Sequence, residues 1–144
     1  MRNPEAILFH VGVNDLGNGA DPKLLSDRLV SLATNAAEKF RCRTYISDIT
    51  PLKGYMHEVE KVNNFIHASL MNNTKVSSIA HPNLTTNQLI DDRHLVIRGP
   101  PNFPTAREML VDDLYKATTG RHMKLQELQN TFKNRSNQYQ HGRK

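Results

Sequence analysis

Ile7 to Asn18 reads ILFHVGVNDLGN, a short apolar run that breaks abruptly into Gly, Asn and Asp. Ile7, Leu8, Phe9, Val11 and Val13 fit a strand buried on both faces, since a parallel strand roofed by helices is apolar almost continuously. In open α/β sheets ligands bind in the crevice beyond the carboxyl ends of the strands. Asn14 and Asp15 therefore stand where such folds carry their chemistry.

Downstream of this strand the pattern alternates between helix and strand. From Asp21 to Phe40 the spacing predicts a helix: Asp21 caps it, Pro22 suits the first turn, and Leu25, Leu29, Leu32, Ala36 and Phe40 form its apolar stripe. TYISDIT, Thr44 to Thr50, is β-branched and stopped by Pro51 and Gly54. A second helix is expected from Met56 to Leu70 with Val59, Val62, Ile66 and Leu70 inward, then a weaker strand, KVSSIA, from Lys75 to Ala80. Thr105 and Glu108 form a capping box that opens a last helix, with Met109, Leu110 and Leu114 as its stripe and Gly120 as its stop. Strand, crossover helix and strand, twice over, predict an α/β fold with three parallel strands joined by right-handed crossovers.

A chain of 144 residues fits a single domain of roughly 100 to 200 residues. Residues 1–120 carry 13 Lys and Arg against 13 Asp and Glu, whereas residues 121–144 carry 6 against 1 and so supply the whole formal charge of +5. The basic character belongs to a tail, not to the domain. In that tail Leu125, Leu128 and Phe132 hold helical spacing before the pattern dissolves into NRSNQYQHGRK, which predicts a short helix followed by disorder. Weak nucleic-acid contact, with Tyr139 as a stacking residue, is the functional alternative to a solubilising end.

Cys42 is the only cysteine, which excludes an internal disulfide framework, favours a reducing compartment and fits an inert small core residue. No stretch approaches the 18 or so apolar residues of a membrane span, and no signal-peptide core is present. Asn72, Asn83 and Asn134 open Asn-x-Ser/Thr triplets that matter only in a secreted chain.

Two polar clusters fall beyond predicted strand ends: Gly12 to Asp15, and Asp91 to His94. Asp91 precedes His94 by three residues, a spacing at which one turn sets a carboxylate against an imidazole, the orienter and base of a hydrolytic triad. Asn14 offers a side-chain amide of the kind that donates in oxyanion holes. Each cluster also has a plain reading, Asn14 and Asp15 as turn formers and Asp91 and Asp92 as a solvated loop pair. His10, Asp15, Asp91 and His94 are a weaker candidate metal set, without the paired spacing of a His-Glu-x-x-His helix, so neither metal nor cofactor is expected.

Together, GVND after a strand and DDRH before a last helix resemble the SGNH hydrolases, also called the GDSL esterase and lipase family. Gly12, Val13, Asn14 and Asp15 match its third block, Gly-x-Asn-Asp. Asp91, Asp92, Arg93 and His94 match its fifth, Asp-x-x-His, with Leu95 and Gly99 continuing in a family-like way. The resemblance covers residues 6–120 and implies a three-layer α/β/α, flavodoxin-like fold acting on a small ester substrate. It assigns Asn14 to the oxyanion hole, His94 as general base and Asp91 as its partner, with Gly12 and Asp15 as motif support. The family's Gly-Asp-Ser nucleophile block and its oxyanion Gly block belong before Gly12, where only 11 residues stand. Neither is present, and Ser47 lies inside TYISDIT with no glycine-rich elbow. The expectation is the C-terminal part of an SGNH-like domain over residues 1–120, lacking the nucleophile, inactive alone and in need of N-terminal strands from a longer chain. Residues 12–120 also resemble the esterase domains associated with animal retrotransposons. A non-catalytic binding module of that origin, touching nucleic acid through residues 121–144, is the alternative.

Overall fold

The computed structural model of the chain describes residues 2–97, 104–124, 126–127 and 129–130. Three parallel strands, β1 (Ala6–Phe9), β2 (Arg43–Ser47) and β3 (Val76–Ile79), form one sheet in the order β1-β2-β3. A short helix α1 (Val13–Gly17) follows β1, and two crossover helices, α2 (Pro22–Phe40) and α3 (Met56–Leu70), connect the strands. Strands laid down consecutively by right-handed crossovers send both helices to the same face, and α2 and α3 do pack on each other and on the sheet. The last helix, α4 (Ala106–Thr119), lies against β3 with a small apolar cluster of its own. This is the expected three-layer α/β/α, flavodoxin-like arrangement reduced to three parallel strands.

The main core lies between the sheet and the α2–α3 layer. Ile46 and Val76 from the strands meet Leu25, Leu29, Ala33 and Ala37 of α2 and Val59, Val62, Ile66 and Leu70 of α3. The α3 stripe is the expected one. The α2 stripe is not: Leu32 is exposed, while Ala36 and Phe40 are only half-buried. A strict four-residue step, 25, 29, 33, 37, wins because Ala33 and Ala37 let the helix approach its neighbours closely, where the larger Leu32 would hold it away. Cys42, expected in the core, is likewise only half-buried.

The caps are formed as expected. Asp21 accepts from the Leu24 amide at 2.9 Å, and Thr105 and Glu108 exchange side-chain-to-backbone bonds at 3.3 and 2.9 Å. Gly120 ends α4 in the left-handed region at φ 76°.

The opening strand departs most from expectation. It ends at Phe9, Val11 lies beyond it and Val13 opens α1; its residues alternate between exposed and half-buried instead of being covered on both faces. Pairing explains this, because among the described residues β1 bonds only to β2 and is an edge. Ile7 and Phe9 face the α2–α3 layer, while Leu8 points to the opposite face, where no described residue roofs β1, and stays 39% exposed.

After Gly120 the first tail residues fold back on α4: the Met123 amide and the His122 ring both bond the Asp112 carboxylate, each at 2.7 Å. The expected tail helix rests on Leu125, Leu128 and Phe132, which lie, like Tyr139, outside the described residues. No helix among the described residues is long and apolar enough to cross a membrane.

Candidate functional site

At the carboxyl end of β1 the chain must turn at once into α1, and Gly12 makes this possible. Its φ of 116° lies where side-chain-bearing residues are strained, and a Cβ there would sit 2.9 Å from Ile49 Cδ1. The turn places Asn14 and Asp15 on the first turn of α1, both exposed, while Leu16 anchors the helix in the core. His10, Gly12, Asn14, Asp15, Ile49 and Thr50 help line a cleft of about 300 Å³.

The second cluster is a tight hairpin. Leu89 and Leu95 form an antiparallel bridge, the Ile90 amide donates to the His94 carbonyl at 2.7 Å, and the Lys53 amide ties the loop to the β2–α3 connection through the Asp92 carbonyl at 2.9 Å. Asp91 organises the turn. One carboxylate oxygen accepts the amides of Arg93 and His94 at 2.9 and 2.8 Å, and the other meets His94 Nδ1 at 2.6 Å. These backbone bonds first, and the imidazole second, hold the Asp91 carboxyl well below the usual carboxylate range. An ionised Asp91 only accepts, so His94 carries its proton on Nδ1 and leaves Nε2 bare. With its side chain 72% exposed, that nitrogen is open to reactants.

Arg93, which the motif treats as a spacer, joins the two clusters: its Nη1 donates to Asn14 Oδ1 at 3.1 Å. A guanidinium has donors only, so the Asn14 oxygen faces Arg93 and the amide nitrogen is left to donate elsewhere, as an oxyanion group would. The guanidinium lies over Gly17, where a Cβ would come to within 3.4 Å of Arg93 Nη2. Asp15 makes no side-chain hydrogen bond to another described residue. No group of three or more metal-ligating side chains occurs among the described residues, and His10, Asp15, Asp91 and His94 do not assemble as one.

A further network connects the carboxyl ends of β1, β2 and β3 with α4. Ser47 Oγ lies 2.8 Å from His10 Nδ1 and 2.6 Å from His81 Nε2, and His81 Nδ1 lies 2.9 Å from Asp113 Oδ2. Sequence reading did not connect these residues, although a signal existed. Pairing Phe9 with Ile46 brings His10 beside Ser47, and His81 follows Ile79, the partner of Ser47 across β3, by one strand period.

Fold and site together define a class: an open parallel α/β domain with a polar cleft at the carboxyl end of its edge strand and an imidazole-and-carboxylate hairpin tied to it through Arg93. No protein-family model matches the chain, and no curated protein is significantly similar to it.

Proposed function

We propose that the chain carries part of the active site of an acyl-ester hydrolase of the SGNH kind. His94 is the general base, Asp91 fixes its tautomer and stabilises the imidazolium, and Asn14 donates to the oxyanion. One observation carries this reading: the two motif loops, remote in sequence, are joined by the Arg93–Asn14 bond, while Asp91 holds His94 with Nε2 outward. Gly12 and Asp15 shape the turn that presents Asn14.

The attacking serine comes, in this reading, from a Gly-Asp-Ser segment outside this sequence. A base and orienter without a nucleophile form no acyl-enzyme, and the residual catalysis of triad enzymes stripped of a member depends on an otherwise complete oxyanion hole. The chain alone is expected to leave p-nitrophenyl acetate unhydrolysed and to take no fluorophosphonate label. Fusion to a segment supplying Gly-Asp-Ser and its strand should produce hydrolysis, lowered about 10³-fold or more by His94→Ala. Activity in the fusion that is indifferent to His94→Ala would overturn the assignment.

A further inference from the structure

Ser47, His81 and Asp113 have the bonding order of a hydrolytic triad, yet the surroundings of Ser47 do not suit a nucleophile. Its side chain is buried to 1% exposure, and its hydroxyl is also bonded to His10. The neighbouring Asp48 amide, which a nucleophile's oxyanion would need, is spent on the Ile79 carbonyl at 2.8 Å. The array is instead a one-way chain of hydrogen bonds with a carboxylate at its closed end. Asp113 accepts only, so in the neutral His81 ring the proton sits on Nδ1, and Nε2 accepts from the Ser47 hydroxyl. The Ser47 oxygen, its proton so used, must accept from His10 Nδ1–H. His10 is thereby fixed with Nε2 unprotonated.

We propose that this chain of bonds makes His10 a dedicated hydrogen-bond acceptor in the cleft beside Gly12–Asp15, so that the site takes neutral, hydroxyl-bearing esters. The claim rests on the hydrolase reading for the ester and on the hydrogen-bond chain for the hydroxyl. His10 Nε2 has no protein partner among the described residues, and His10 lines the same cleft as Asn14 and Asp15. The cleft thus offers two acceptors, His10 Nε2 and the Asp15 carboxylate, beside the Asn14 amide and the Thr50 hydroxyl, which both donates and accepts. The His10 acceptor favours a ligand that brings its own O–H group, the Asp15 charge disfavours an anion, and the Asn14 amide is left for the ester oxygen. Burial, the largest cause, holds the His10 pKa below its ordinary value, which keeps the ring neutral. The other titratable groups around the array are Asp48, paired with His67 at 2.7 Å, and Asp113 from α4.

The test is long-range ¹H–¹⁵N NMR of the histidine rings in the full chain, with glycerol monoacetate and glycerol triacetate as probes, alike in ester chemistry but only the first bearing hydroxyls. At neutral pH His10 should be protonated at Nδ1. The monoacetate should perturb Nε2 at about tenfold lower concentration than the triacetate, as one net hydrogen bond implies. Asp113→Ala, three hydrogen bonds from the cleft, should release His10 toward the Nε2–H form and abolish the preference, which a merely structural role for Asp113 would not do. His10 protonated at Nε2 in the unaltered chain, or equal binding of the two probes, would overturn the proposal. The unaltered chain alone decides this, even if the variant fails to fold. Hydrolysis is not read, so an inactive fusion alongside the expected NMR result would reject the hydrolase reading and leave the acceptor site standing.

Discussion

His10 and Asp91 illustrate how differently two polar side chains can be held. Asp91 is exposed and gains its low pKa from two backbone amides and an imidazole, whereas His10 is shifted chiefly by desolvation. For His10 the folded-state pKa is lower than the unfolded one, so the unfolded chain binds more protons as pH falls through about 6.5, and stability falls with it. His10→Gln removes this dependence. Urea titrations of both proteins between pH 7.5 and 5.5 should give converging stabilities toward acid, and a constant difference across the window would refute the assignment. Asp91 acts lower in pH: its contribution is intact above the ordinary carboxylate range and is lost as pH falls below it. Asp48 has the opposite sign. Burial raises its pKa despite the opposing bond from His67, so its protonation on acidification relieves a cost.

At the scale of elements, what could be read from the chain depended on whether its cause was local. Thr105 with Glu108, Asp21 with Pro22, and the α3 stripe are legible because capping and a single unambiguous face act within one element. For α2 two stripes overlap, and only the neighbours' demand for small residues at Ala33 and Ala37 decides between them. The end of β1 and its exposure depend on what pairs beside it, which no periodicity encodes. The Asp91–His94 turn was legible from a three-residue spacing; the Arg93 link and the His10–Ser47–His81–Asp113 array needed strand register and the placement of α4. The caps give a direct test. Thr105→Ala should cost about 1 kcal/mol in urea unfolding. Hydrogen exchange should quicken in α4, which shares few contacts with α2 and α3, and leave those helices unchanged; uniform quickening would mean that α4 is not a separable unit.

For the molecule as a whole, the open side of β1 and the uneven charge are the governing features. Unpaired strand edges template association, so the isolated chain is expected to self-associate at micromolar concentration. Leu8→Lys, on the unroofed face, should reduce this, as analytical ultracentrifugation would show; a monodisperse unaltered chain would contradict it. The cationic end calls for a separate measurement. Nucleic-acid binding through residues 121–144 should be weak and vanish on their deletion. Its log–log salt slope for a single strand should be no steeper than about −4, the limit if all six cations displace counterions. Salt-insensitive binding would exclude this mode.

The consecutive order β1-β2-β3 has a geometric consequence for the cleft. Doubly wound sheets hold their ligands where the winding reverses and neighbouring connections leave on opposite faces, opening a crevice between them. A sheet wound in one direction has no such point within it. The one place where a reversal can be added is beside β1, and the carboxyl end of β1 is where Gly12, Asn14 and Asp15 already stand. A strand docking there, with its connection on the α4 side, would turn a one-walled cleft into a two-walled crevice and roof Leu8 in the same step. Ligand binding and strand docking would then be linked, each raising the affinity for the other by the same factor.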